Sequence, residues 1–426
     1  MATAADNDLA LISGYIAKQA GVGFYNEAVL VPSIDTQYSD EYGTKSGGAR
    51  VGNTIRVKRR AQFVATDTIS DPSITANTIQ AIEEDTKVLT LDYRPAVHGE
   101  IDTEQATLEI EANGGEYSER VLQPMGKALL AKIEAHGFEK LALGAQNTVV
   151  YDLAPGDQGY STANLRKAIV SVRAMLDRQL APKGDRTTVL STDAELEVSD
   201  SVLQLFHSNK EIEAAYEKGE MGNMGGLKWM ASDLITTRTN GAGGALSTTI
   251  SAFSAATPDK VALTSITDLK VGDKLQFTGT YFVNPETKTA YATLLQRAVL
   301  AIDVPGKTVT IDPIYGPATS GLLHAGKQNA SRLPIATHGV TVLGTKGEIY
   351  ACIPVFQKMA ITLGSADLYL PKSVEMSARN KVLGVGTRFI RDYQVGSDLL
   401  PNRYESLLNI SLLYPEWVGV MEWRIS

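Results

Sequence analysis

At residues 54–60 the chain reads Thr-Ile-Arg-Val-Lys-Arg-Arg, and its first five residues alternate with an apolar side chain at every second position. Successive side chains of a strand point to opposite faces, so Ile55 and Val57 share one face and the cations the other. A second extended run, at residues 86–97, follows a polar segment, and the two runs predict a long two-stranded ribbon. Because a lone two-stranded ribbon is marginally stable in water, we expect it to pack against another surface.

The segment before the ribbon, residues 1–48, is predicted to be a weakly structured arm. Its short apolar islands are separated by glycines and acids and are too small to form a core of their own. We expect these islands to pack on the rest of the chain or on a neighbouring copy.

Two amphipathic helices are predicted after the ribbon, at residues 117–143 and 162–180. The first presents one apolar face, made of Leu122, Met125, Leu129, Ile133 and Leu141. Charged residues lie off this face, at Lys127, Lys132, Glu134 and Lys140. Pro124 belongs in or near the first turn, where its missing N–H costs nothing. Shorter helices are predicted at residues 194–206 and 210–218.

The composition changes at Asn240, where Asn-Gly-Ala-Gly-Gly-Ala has the content of a flexible linker. From there to about residue 331 the chain shows short strands separated by turn residues, which is typical of a small β-barrel or sandwich. Mixed α/β character then resumes, and the chain ends in apolar strands at residues 407–414 and 417–425. The all-β segment is therefore predicted to be an insertion.

The overall composition is that of a folded protein. The 426 residues include 40 Lys and Arg and 48 Asp and Glu, for a formal charge of −8, and 43% are hydrophobic. An acidic chain is a poor candidate for gripping nucleic acid by its phosphates. The single cysteine, Cys352, excludes an intrachain disulfide and fits a reducing compartment. We expect neither a secretory signal nor a membrane-spanning segment.

The sequence contains no recognisable catalytic or cofactor motif, so we expect no catalytic residue, no cofactor and no metal. The glycine-rich segments do not continue as phosphate-binding loops, and the five histidines are widely separated. Cys352 lies in an apolar run, where a buried, inert thiol is expected.

The charges are unevenly distributed around the ribbon. Five cations and no acid occur between residues 50 and 60, namely Arg50, Arg56, Lys58, Arg59 and Arg60. Seven acids and no Lys or Arg occur between residues 95 and 119, namely Glu100, Asp102, Glu104, Glu109, Glu111, Glu116 and Glu119. Three interpretations are open: solvated or internally paired faces, a contact between the basic ribbon and the acidic segment of an adjacent copy, and a nucleic-acid patch. The third lacks interleaved aromatic residues.

The order of these elements resembles that of the major capsid proteins of tailed bacteriophages. The resemblance lies in Val-Gly-Asn-Thr-Ile-Arg-Val at residues 51–57, in Leu-Gln-Pro-Met-Gly-Lys-Ala-Leu at residues 122–129 with Ile133-Glu134, and in the glycine-rich turn at residues 219–227. The segment Leu-Lys-Val-Gly-Asp-Lys-Leu at residues 269–275 is similar to a hairpin of an inserted domain. Podovirus coat proteins with an inserted β-barrel are the most similar group.

The resemblance implies an α+β fold, the phage capsid (Johnson) fold that is shared with herpesvirus shells. Its expected parts are an N-terminal arm (1–48), an extended E-loop (49–85), a P domain with the spine helix (86–148), an A domain (149–238), an inserted β-barrel (239–340) and a return to the A and P domains (341–426). The two charged segments then become candidate intersubunit contacts, the E-loop cations of one copy against the acids of another.

The resemblance further implies a coat protein without catalysis that self-assembles into an icosahedral head shell around packaged double-stranded DNA. The expected partners are further copies in hexamers and pentamers, a scaffolding protein and a portal protein, with DNA enclosed without sequence-specific binding and no membrane. Binding of a decoration protein to the insertion stays open. The chain is expected in the virion after assembly in the host cytoplasm. A nanocompartment shell of the same fold and an enzyme with an accessory β-domain are the alternatives.

Overall fold

A computed structural model describes residues 18, 20–23, 28–37, 45–46, 49–50, 52–63, 86–102, 118–203, 223–317 and 325–425. The helix predicted at residues 210–218 lies outside these ranges. Among the helices in the described ranges, none has the length and apolar character needed to cross a membrane.

Helix α1 spans Gln123–Gly144, helix α2 Thr162–Arg178 and helix α3 Thr192–Leu203. The strands of the first half are β1 Lys45–Ser46, β2 Ala49–Arg50, β3 Thr54–Lys58, β4 Thr86–Thr90, β5 Ala96–Asp102, β6 Asn147–Tyr151, β7 Arg186–Leu190, β8 Asn223–Met224, β9 Leu227–Ala231 and β10 Thr237–Thr239. Those of the second half are β11 Ser247–Phe253, β12 Lys260–Leu263, β13 Lys274–Val283, β14 Ala290–Ala298, β15 Ala301–Asp303, β16 Thr308–Thr310, β17 Gly339–Val342, β18 Ile349–Gln357, β19 Ile361–Ser365, β20 Met376–Val382, β21 Val385–Arg391, β22 Leu399–Ser406, β23 Leu408–Leu412 and β24 Val418–Arg424. The predicted α+β class is confirmed.

The chain divides into two compact units, and the first comprises Met1–Val57, Lys87–Gly137 and Ile361–Ser411. It contains a four-stranded sheet in the order β20-β21-β22-β5 and the pair β19-β23. Strand β3 pairs with β4, so the predicted two-stranded ribbon is confirmed over its described residues. Ile55 and Val57 are buried, as the alternation requires.

Helix α1 begins after a π-helical turn at Ser118–Leu122, which places Pro124 in its first turn, as predicted. Its predicted apolar positions are all buried. One charged position does not follow the prediction: Glu134, expected off the apolar face, is also fully buried. The reason is a set of backbone partners that lie far away in the sequence, described below.

The second unit comprises Lys58–Thr86, Phe138–Ala360 and Leu412–Ser426. One of its sheets has the order β6-β24-β18-β7-β9-β8, and β10 also pairs with β18. Helix α2 packs on this sheet through Leu165, Ile169 and Val172, which share a core with Ile353 and Met421. Cys352 is buried on the same strand as Ile353, as expected for an inert thiol, and burial raises its pKa to about 12.

A separate sheet of the second unit, in the order β14-β13-β17-β11-β12-β16-β15, encloses its own apolar core around Leu275, Phe277 and Val340. Its strands run from Ser247 to Val342, so the sheet begins inside the segment predicted as an insertion and ends two residues beyond the predicted boundary at residue 340. The exact domain boundaries given above stay a prediction.

The segment that leads into this sheet differs from the expected flexible linker. Asn240 is buried and donates its side-chain N–H to the carbonyl oxygen of Leu343 at 2.8 Å. The amides of Gly241 and Ala242 donate to the carboxylate of Asp273 at 3.1 and 3.3 Å. The prediction from composition was wrong here because these partners lie some thirty to a hundred residues further along the chain.

Candidate intersubunit contact site

The basic strand presents a row of cations to solvent. On β3 the side chains of Arg56 and Lys58 are exposed, on the face opposite to Ile55 and Val57. Arg60, two residues beyond the strand, is exposed as well. Arg56 and Arg60 form no ion pair with any residue that the structure describes. They are therefore available to an acidic surface outside this part of the chain.

Arg59 behaves differently from its neighbours. Its guanidinium pairs with Glu416 of the same chain and lies 4.8 Å from the ring centroid of Tyr414. Tyr414 in turn stacks on Trp417, with ring centroids 4.2 Å apart. Burial raises the pKa of Glu416, and the positive charge of Arg59 opposes that rise. Arg59 and Glu416 belong to the same unit, so this ion pair anchors the chain just after β3 within that unit.

The same segment packs closely against Gly326 at Gln62. A Cβ atom built on Gly326 would lie 2.0 Å from the carbonyl oxygen of Gln62, so only glycine permits this close approach. The carbonyl oxygen of Gly326 accepts a hydrogen bond from the ammonium group of Lys288 at 2.7 Å. Burial lowers the pKa of Lys288 to about 8. Residues 59–62 are therefore paired with the short helix Pro415–Trp417 through Arg59 and packed against the β-insertion through Gln62.

The acidic segment is described only in part. Glu100 is exposed on β5, which is an edge strand of its sheet within the described residues. Asp102 is the last residue of β5, and Arg50 the last residue of β2. Three further predicted contact residues, Glu104, Glu109 and Glu111, lie outside the described residues. The structure pairs Arg59 with Glu416, which is not among the predicted acids, and the predicted cation–acid contact stays a prediction.

Beside the insertion lies a buried cluster of charges that no sequence motif indicates. Arg238 donates to the carboxylate of Asp273 at 2.6 Å and to both oxygens of Glu422 at 3.0 Å. Burial alone would lower the pKa of Arg238, but Glu422 and Asp273 outweigh it and raise that pKa. The only signal in the sequence is the Asp273-Lys274 pair at the start of an otherwise uncharged strand.

Glu134 is the second residue whose role the sequence did not reveal. Its oxygen Oε1 accepts hydrogen bonds from the backbone N–H groups of three consecutive arm residues, Val29, Leu30 and Val31. A helical pattern assigns a charged residue to solvent, and nothing local in the sequence contradicts that assignment. Within the described residues, no group of three His, Cys, Asp or Glu side chains could hold a metal ion.

Comparison with known proteins gives a consistent result. A sequence model of the family described as "P22 coat protein - gene protein 5" matches residues 73–421. No curated protein sequence matches the chain. Solved structures with a similar backbone include one from Mycobacterium phage Che8, at 10% identity and a TM-score of 0.46, with 93% of this chain and 91% of that chain covered.

Two further structures are similar at the same level. The capsid of Cyanophage P-SCSP1u shows 12% identity and a TM-score of 0.46, with 88% of this chain and 85% of that chain covered. A virus-like particle from Pyrococcus furiosus shows 8% identity and a TM-score of 0.41, with 96% and 98% covered. The assignment of the chain rests on the family match rather than on these structures.

Proposed function

The chain belongs to the family of the P22 coat protein, and from this membership we propose that its copies form an icosahedral shell in which the basic strand of one copy contacts the acidic segment of another. The resemblance predicted from the sequence is confirmed. The chain is a major capsid protein of a tailed bacteriophage, a structural protein rather than an enzyme and a component of the virion.

The exposed row of cations on β3 supports the proposed contact. Arg56, Lys58 and Arg60 place three positive charges on one short segment, while Glu100 is exposed on an edge strand. Opposite charges on two surfaces steer association and fix the register of the contact more than they add affinity. Arg59 has a different part, because its pairing with Glu416 fixes the chain just after the strand that carries Arg56 and Lys58.

The remaining partners are proposed from the family. A net charge of −8 suits a container whose lining does not hold packaged double-stranded DNA by its phosphates. A scaffolding protein and a portal protein are the expected partners during assembly in the host cytoplasm, where copies join as hexamers and pentamers. Many weak contacts per copy then make the shell stable as a whole.

The test is charge reversal on the exposed row. The variant that combines Arg56→Glu, Lys58→Glu and Arg60→Glu is expected to fold but not to sediment as shells when it is expressed with its scaffolding protein. A matched control, Lys183→Glu with Lys228→Glu and Lys260→Glu, changes the charge by the same amount at other exposed lysines. The control is expected to form shells. Intact shells from the first variant would contradict the proposed contact.

A further inference from the structure

The buried carboxyl group of Glu134 binds the arm segment Val29–Asp35 to helix α1. The backbone N–H of Leu30 donates to its Oε1 at 2.6 Å, that of Val29 at 2.8 Å and that of Val31 at 3.2 Å. Consecutive N–H groups that converge on one point form a concavity suited to an oxygen with negative charge. A single carboxyl oxygen thus holds three residues of the arm.

The side chains of the arm segment complete the docking. Leu30 is fully buried, and a Cβ atom built on Gly137 would lie 2.5 Å from Leu30 Cδ2. The glycine therefore leaves the space that Leu30 fills. At the other end of the segment, the backbone N–H of Asp35 donates to the carbonyl oxygen of Ile361 at 3.1 Å. The backbone N–H of Leu363 donates to the carbonyl oxygen of Asp35 at 2.8 Å.

The second oxygen of the same carboxyl group, Glu134 Oε2, is buried and has no hydrogen-bond partner among the described residues. A charged carboxylate with one unpartnered oxygen in an apolar site is costly, whereas the neutral acid is not penalised to the same extent. Burial raises the pKa of Glu134, and the three backbone hydrogen bonds oppose that rise without cancelling it.

The titratable groups around this site do not change that balance. Asp35 is the titratable residue of the arm segment, Lys132 and His136 are those within two positions of Glu134 on the helix, and the ring of Tyr93 stacks on His136 with centroids 4.0 Å apart. None of them exerts a charge effect on Glu134, whose pKa is governed by burial and by the backbone hydrogen bonds of the arm.

We propose that Glu134 is a latch for the arm, and that the latch holds more tightly when its carboxyl group is protonated. In the proposed latch the docked arm shuts the carboxyl group off from water, and this burial outweighs the arm's three hydrogen bonds, so docking favours the neutral form, while release of the arm returns the group to water. The docked state therefore binds the proton more tightly. Docking is strongest when the pH is below 4.5, the ordinary pKa of a glutamate. It weakens as the pH rises through the raised pKa of Glu134 in the docked state.

Hydrogen exchange of the full chain tests the latch. Protection factors of the Val29, Leu30 and Val31 amides, each corrected for the intrinsic rate at that pH, are expected to fall by up to about tenfold per pH unit within this window. In Glu134→Gln the acceptor oxygen remains but cannot ionise, so protection is expected to be independent of pH. Glu134→Ala is expected to lose protection at every pH.

Two further variants separate the latch from a general loss of structure. Gly137→Ala is expected to lower arm protection at every pH while keeping the pH dependence, because it displaces Leu30 and leaves the carboxyl group in place. Glu139→Gln removes an exposed carboxylate of the same helix and is expected to follow the wild-type curve. Wild-type protection that stays constant or rises with pH, or a Glu134→Gln variant with wild-type pH dependence, would overturn the proposal.

Discussion

The ammonium nitrogen of Lys274 lies 2.7 Å from the carbonyl oxygen of Ala142, two residues before the end of helix α1. It also lies 3.4 Å from the carbonyl oxygen of Ala145. The last carbonyl groups of a helix have no partners within the helix, and a cation near them is stabilising. The first long strand of the insertion therefore supplies the cap of the long helix, and the adjacent Asp273 binds Arg238.

Loss of this cap should destabilise the protein. In Lys274→Met the side chain keeps its approximate length but leaves buried carbonyl groups without their donor, at a cost of about 2 kcal/mol in the free energy of unfolding. Urea denaturation at pH 7 measures the difference. Lys270→Met, at an exposed lysine four residues earlier, is the control and should change stability by less than about 0.5 kcal/mol. Equal effects of the two substitutions would contradict the capping role.

The same lysine makes stability depend on alkaline pH. Burial lowers the pKa of Lys274 to about 8, from an ordinary value of 10.5. Between these values the unfolded chain holds a proton that the folded chain has released, so the free energy of unfolding rises with pH. The stability difference between wild type and Lys274→Met should therefore grow by up to about 1.4 kcal/mol per pH unit from pH 8 to 10. Urea denaturation at several pH values measures this. A difference in free energy of unfolding between wild type and Lys274→Met that narrows from pH 8 to 10 would refute the prediction.

Substitution of the buried acid Glu405 in the first unit is predicted to lower the free energy of unfolding strongly. Its carboxylate accepts hydrogen bonds from Arg388 at 2.9 Å and from Arg94 at 3.0 Å, and it lies 3.1 Å from Arg403. Burial opposes the charged form, but these arginines prevail and lower the pKa of Glu405. Glu405→Gln leaves the buried Arg388 without a counter-charge, at a cost of about 3 kcal/mol.

The pH dependence of that contribution has the opposite sign to the lysine case. Because the folded pKa of Glu405 is below its ordinary value of 4.5, its contribution is present above that pH and is lost as the pH falls through the folded pKa. Denaturation at pH 7 and at acid pH should show the difference between wild type and Glu405→Gln shrinking in acid. The control is Glu375→Gln, which removes the carboxylate of the partly exposed ion pair between Glu375 and Arg391. It should lower the free energy of unfolding by less than about 1 kcal/mol.

The close approach of Gly326 to Gln62 predicts the result of a small substitution. Gly326→Ala places a methyl group where the Gln62 carbonyl lies, so one of the two segments must move. Overpacking of this kind should lower the free energy of unfolding by about 1–3 kcal/mol, which urea denaturation measures. Gly184→Ala has open space around it and serves as the control, with an expected change of less than about 0.5 kcal/mol. Equal stability of the two variants would contradict the close packing of Gln62 against Gly326.

Local patterns in the sequence predicted the elements but not their long-range partners. The buried face of β3, with Ile55 and Val57, and the apolar face of helix α1 could be read from the spacing of apolar residues. This spacing exists because the side chains on one face of a strand or helix are buried together. Glu134 escaped the same reasoning because its partners are backbone groups 104 residues away, and backbone groups leave no mark in a sequence. The segment after Asn240 was misjudged for a similar reason, since Asp273 supplies the order that its own composition lacks.

Disulfide formation between copies is the sharpest test of the contact between the basic strand and the acidic segment. The native Cys352 is buried and its pKa is raised to about 12, so it should not react. Shells assembled from a chain carrying both Arg56→Cys and Glu100→Cys are expected to give a ladder of covalent oligomers after oxidation, while each single variant gives none. The contrary result is a double variant that forms intact shells by electron microscopy but yields only monomers after oxidation. That result would contradict a contact between the basic strand and the acidic segment of neighbouring copies.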